Sequence, residues 1–168
     1  YARSSFAADQ DLFRVPALTW AFFMDEAGLA DRIARRLEGA GHRVIRVVPG
    51  DVTAKRAEDR YTLVAEAGRE AYEALFALLA EAYASPDRIG HFWLVTQDET
   101  CRPGSSFAAR NTERGFMSLM HIAQARGLAG SDAPLHMTVL TNGAEQLRDE
   151  PLPHPEKALI AGPAGVIP

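Results

Sequence analysis

Apolar positions along the 168-residue chain alternate between two periods. Leu18–Met24 and "RVIRVVP" (Arg43–Pro49) are short runs rich in aromatic and β-branched residues, as strands are. Between them Leu29, Ala30, Ile33, Ala34 and Leu37 recur every three or four residues, while Asp31, Arg32, Arg35, Arg36 and Glu38 take the opposite face. That spacing predicts a surface helix packed on a sheet. Gly39 and Gly41 end it, so the G-x-G of "GAGHRV" reads as a helix C-cap and turn.

The pattern then repeats. A charged loop, Asp51 to Arg60, leads to "YTLVA", a third strand at a sheet edge. A helix follows from Arg69 to Ala84 with Ala71, Leu75, Leu78, Leu79 and Ala82 inward, stopped by Ser85-Pro86. "IGHFWLVT" (Ile89–Thr96) is nearly continuous in apolar residues, as in a central parallel strand covered on both faces. "QDETCRPGSS" reads as a loop. A long helix is predicted over Thr112–Arg126, with Phe116, Leu119, Met120 and Ala123 inward and Gly127 as its cap. "LHMTVLT" (Leu135–Thr141) is the last clear strand, and a short helix lies near Pro155–Ala161. Strand and helix alternate throughout, which predicts an α/β fold: a Rossmann-like, doubly wound, mainly parallel sheet flanked by helices. Residues 1–16, broken by Pro16, read as a linker, and 17–168 as one domain.

Composition narrows the function classes. With 47% hydrophobic and 24% charged residues and a net charge of -4, the chain has the balance of a globular domain and no basic stripe for nucleic acid. No apolar run approaches the roughly 18 residues of a membrane span, and no secretion signal is visible, so the cytoplasm is the expected location. Cys101, the single cysteine, can form neither an internal disulfide nor a thiolate metal cage. The chain begins at Tyr1 and ends on "AGPAGVIP", and is expected to be a piece of a longer polypeptide.

In doubly wound sheets ligands bind at the carboxyl ends of the strands, so the loops there are the place to seek chemistry. The turn "MDEAGLA" after the first strand holds one glycine, Gly28, where a dinucleotide site wants three, and Asp25 and Glu26 stand where phosphate would come. A nicotinamide or adenosylmethionine site is therefore not expected. The same acidic pair is similar to the Mg²⁺ pocket of receiver domains, with Asp98 as the best available acceptor, but neither Lys55 nor Lys157 follows a late strand. The competing reading is an acidic helix N-terminus favoured by the helix dipole. His42, His91, His121, His136 and His154 form no HExxH or close pair; His91 and His136 read as packed, hydrogen-bonded strand residues. A Tyr-x-x-x-Lys pair and a G-x-S-x-G elbow are both missing. Ser105-Ser106 reads as flexible surface, and Trp20 and Trp93 as core. No catalytic, cofactor-binding or metal-binding residue is assigned.

Seven segments occur in an order that resembles a known family: "LFRVPALTW", "DEAGLADRIARRLEGAGHRVIRVVPGD", "YTLV", "IGHFWLVTQ", "RGFMSLMHIAQA", "LHMTVLTNGAE" and "KALIAGPAGVIP". Together, from Leu12 to Pro168, they resemble the structural, or pseudo-Rossmann, subdomain of modular polyketide synthase ketoreductase regions. The resemblance implies a non-catalytic half that supports a neighbouring catalytic subdomain, which carries NADPH and the Ser/Tyr/Lys set. It implies no cofactor on this chain. Implied partners are that subdomain, other domains of the same multienzyme, and, for the parent synthase, an acyl carrier protein. Relatives commonly have a basic residue where Gly165 stands. Such a subdomain can also lie beside a methyltransferase or dehydratase with no active reductase. The alternative of another class is a receiver-like signalling module.

Overall fold

A computed structural model describes residues 15–82, 86–97, 106–128, 135–146, 148–152 and 154–167. The expected linker up to residue 14, the helix stop at Ser85, and Asp98, Cys101 and Ser105 lie outside the described residues.

The strands are β1 (Thr19–Phe23), β2 (Arg43–Pro49), β3 (Ala54–Ala57), β4 (Arg60–Leu63), β5 (Arg88–Leu94) and β6 (His136–Thr141). They form one sheet in the order β3-β4-β2-β1-β5-β6, parallel except for the β3/β4 pair. Leaving the antiparallel strand aside, the order is that of a Rossmann sheet, and the chain reverses direction across the sheet between β1 and β5. Receiver domains have instead one strand outside the first on that side. The strand β4 beyond β2 therefore removes the receiver architecture.

Helix α1 (Leu29–Gly39) covers one face, burying Ala30, Ala34 and Leu37 against Phe22, Val44 and Phe92. The other face is covered by α2 (Arg69–Ala82) and by a long helical segment made of α3 (Ser106–Thr112), a π turn (Glu113–Met117) and α4 (Ser118–Leu128). There Phe23, Ile45, Tyr61, Tyr72, Leu75 and Trp93 form the larger core. A 3₁₀ turn at Pro155–Ile160 and the short α5 (Ala161–Val166) close the described chain. Gly165, in α5, has open space where a Cβ would stand, so the position accepts a side chain.

Four expectations need correction. "YTLVA" is not an edge: Tyr61 and Leu63 are fully buried, and the outer position goes to β3, which the charged loop 51–60 supplies. "AKRA" carries no apolar alternation because β3 is held by backbone pairing, and its exposed Lys55 and Arg56 suit an edge. The helix after β5 starts earlier, at Ser106, and its inward residues are Leu119, Ile122 and Ala125; Phe116, Met120 and Ala123 are half-exposed. Apolar residues ring α4, so spacing alone allowed two stripes, and packing against α2 and the sheet selected one. Gly127 lies within α4 rather than capping it. His136 is exposed, because it sits on an edge strand.

Candidate functional site at the carboxyl end of the sheet

The carboxyl ends of β1, β2 and β5 open on a cavity of about 410 Å³. It lies where the chain changes direction across the sheet, the usual ligand position in doubly wound folds. One wall is the β1–α1 turn, with Met24, Asp25 and Glu26; the facing wall is α3 and the π turn, with Phe107, Arg110, Asn111 and Arg114. Trp93, Val95, Thr96 and Gln97 from the end of β5, and Pro49 from β2, also line it.

The β1–α1 turn is organised around Asp25. Asp25 Oδ2 accepts from the Leu29 N–H at 2.9 Å and Oδ1 from the Ala30 N–H at 2.7 Å. These are donors at the first turn of α1 that a bound phosphate would use, and the carboxylate is favoured there by the helix dipole. The arrangement depends on Gly28, whose φ of 81° is a backbone state that residues with a Cβ adopt at a cost. Glu26 does not share the seat. It is 82% exposed and pairs with Arg114 Nη1 at 3.3 Å. The turn holds one glycine, and the first-turn N–H donors of α1 are already taken by Asp25 rather than left for a phosphate.

The facing wall is held differently. Asn111, buried, donates from Nδ2 to Glu156 Oε1 at 2.7 Å and so ties α3 to the 3₁₀ turn. Arg110 lies over the Phe107 ring at 4.5 Å. The π turn approaches β5 so closely that a Cβ on Gly115 would stand 2.6 Å from Leu94 Cδ1. Beneath it His91 Nε2 is 2.9 Å from Ser118 Oγ, linking β5 to α4, and burial pushes the His91 pKa down to about 3. His91 is thus a neutral core residue, stacked on Phe23 at 5.2 Å, as a packed strand histidine should be.

Other candidates scatter. His42 accepts from the Leu18 N–H through Nδ1 at 3.1 Å, His154 lies 3.4 Å from Glu156, and His121 lies 3.4 Å from Gln124. Among the described residues no three His, Cys, Asp or Glu side chains gather in a metal-binding group. Trp20 is half-buried beneath Arg88. Trp93 is core, against Phe23 and His91, and also a cavity wall. Spacing missed Lys157. The 3₁₀ turn folds it back to the ends of β5 and β6, where it is buried and donates to Thr96 Oγ1 and, at 3.3 Å, to Asn142 Oδ1. Nothing short-range in "HPEKALI" signals that return.

Fold and site together define a Rossmann-like α/β domain in which Asp25 caps the N-terminus of the helix after the first strand. Solved structures that share this fold include two from multidomain synthases. One is the adenylation, ketoreductase and pseudo-Asub multidomain structure of a keto acid-selecting NRPS module, 22% identical, with a TM-score of 0.74 over 88% of this chain and 12% of that chain. The other is an N-terminal ketoreductase from the macrolactin assembly line, 20% identical, with a TM-score of 0.65 over 78% of this chain and 27% of that one. The chain thus spans a small part of either. No protein-family model and no curated protein matches it. No described helix is long and apolar enough to cross a membrane.

Proposed function

We propose that this chain is a non-catalytic structural subdomain of a polyketide synthase ketoreductase region, supporting a neighbouring catalytic subdomain that binds NADPH. The observation that carries the reading is Asp25 on the α1 N-terminus: the strand–turn–helix shape of a cofactor site is kept while its anion seat is closed from within. The seven ordered segments and the fold shared with chains that contain ketoreductases support it. In this reading the NADPH site, the acyl carrier protein contact and any ketone reduction belong to the rest of a cytoplasmic multienzyme.

The test has two arms. Titration of the chain with NADPH should give no heat of binding; a Kd near 1 μM, about -8 kcal/mol, would overturn the reading. Co-expression with the adjoining catalytic subdomain should raise the soluble yield and NADPH-dependent ketone reduction of that subdomain. An equally soluble and active catalytic half without this chain would refute the supporting role.

A further inference from the structure

The sheet is covered unevenly. Side chains alternate along a strand, so on β2 Arg46 and Val48 share the face of Val44, which packs under α1, while Ile45 and Val47 belong to the core beneath α2. Arg60 and Thr62 on β4 stand opposite Arg46 and Val48, with Tyr61 and Leu63 turned the other way. Parallel neighbours such as β2 and β4 are usually joined by a helix that lies over them. Here the connection forms β3 at the sheet edge instead, and the described apolar core beneath α1 draws on β1, β2, β5 and β6 but not on β4. Val48 is accordingly 39% exposed, and Val52, in the loop beyond it, 55%. Thr62 Oγ1 ties the two strands' ends together here, donating to the Val52 carbonyl at 2.6 Å.

Charge indicates what fits this face. The α1 carboxylates that reach it are engaged: Asp31 pairs with Arg35, and Glu38 and Asp31 with Arg46. Arg56 and Arg60 are exposed and, among the described residues, have no carboxylate partner; Arg56 Nε donates to Thr62 Oγ1 at 3.0 Å. The exposed Asp51 and Glu58 of the flanking turns pair with neither. In a chain of net charge -4, two exposed valines are thus rimmed by two guanidiniums without counter-charges. An apolar centre with an arginine rim calls for a partner that is apolar where it touches the valines and acidic at its margins. We infer that this face docks an amphipathic helix of a partner domain, its apolar stripe on Val48 and Val52 and its carboxylates toward Arg56 and Arg60. A second copy of the chain is a poor source, because its acidic helix, α2, already buries Tyr72, Leu75, Phe76 and Leu79. The inference goes beyond the scaffold reading and does not depend on it.

Fluorescence anisotropy of the chain with two synthetic amphipathic helices, leucine on one face and either glutamate or lysine on the flanks, tests the surface. The glutamate peptide should bind saturably, about tenfold or more tighter than the lysine peptide, and added salt should weaken it. Arg56→Glu combined with Arg60→Glu should reverse the preference, and Val52→Ser should weaken the glutamate peptide. No saturable binding of the glutamate peptide up to about 0.1 mM, equal affinities for the two peptides, or an unchanged preference in the doubly substituted chain would overturn the proposal. So would sedimentation showing that the unmodified chain self-associates and that the double substitution abolishes it, which would assign the face to a second copy. The two peptides on the unmodified chain decide the matter even if a variant does not fold.

Discussion

The two walls of the cavity solve opposite problems. On the β1–α1 side Asp25 is consumed locally, both its oxygens accepting from helix N–H donors four and five residues ahead, while Glu26 stays exposed and reaches across to Arg114. On the α3–π turn side Arg114 Nε is buried and, among the described residues, without an acceptor, as is Trp93 Nε1 on β5, although Asn111 is firmly held. The satisfied wall adds to stability and leaves nothing for an incoming anion. The under-satisfied wall gives up stability, because its unpaired donors are buried. In an ordinary cofactor site the helix terminus is the open end; here Asp25 occupies it.

The largest expected effect comes from acid, acting beneath the second wall. His91 has its pKa lowered from 6.5 to about 3 by burial, so between those values the unfolded chain binds the extra proton. Its stabilising contribution is complete above pH 6.5 and is lost as the pH falls toward 3, by up to about 1.4 kcal/mol per unit. Urea melts at pH 7, about 5 and about 4 should show this slope, and His91→Gln should flatten it.

Next, Gly115→Val should destabilise by about 1–3 kcal/mol, since even its Cβ meets Leu94 Cδ1 at 2.6 Å and the π turn must move. The loss should appear in thermal melts. The first wall responds more mildly: Asp25→Ala should cost about 1–2 kcal/mol through the lost cap, and orthophosphate should then raise the melting temperature of the variant but not of the unmodified chain. Glu26→Gln should leave the melting temperature within about 1 °C, because an exposed ion pair contributes little. A large loss there would mean that the two walls are braced against each other.

Legibility followed how many readings each pattern allowed. The helix α1 was plain because its apolar residues form one stripe, and the structure buries Ala30, Ala34 and Leu37 from it. The misplaced charge at Asp25 was also plain, since a carboxylate one residue past a strand and three before Gly28 can hardly be mistaken for a glycine-rich cradle. β3 was hidden because backbone pairing with β4 makes no demand on side-chain pattern. In α4, apolar residues on both sides left the buried stripe undecided, and the π turn at Glu113–Met117 has no local code.

Periodicity and turn chemistry thus determined the α/β class, the β1–α1–β2 unit and the placing of two carboxylates in its turn. These are short-range properties, set by spacing along one helix or strand and by the charge in one loop. Tertiary structure alone decided that Asp25 rather than Glu26 takes the helix terminus, that Lys157 returns to the strand ends, and that Arg114 and Trp93 meet at one cavity. Each depends on residues far apart in the chain, or on which of two nearby carboxylates reaches a fixed set of donors. Distance and direction in space decide such matters, and neither is written in the spacing of residue types.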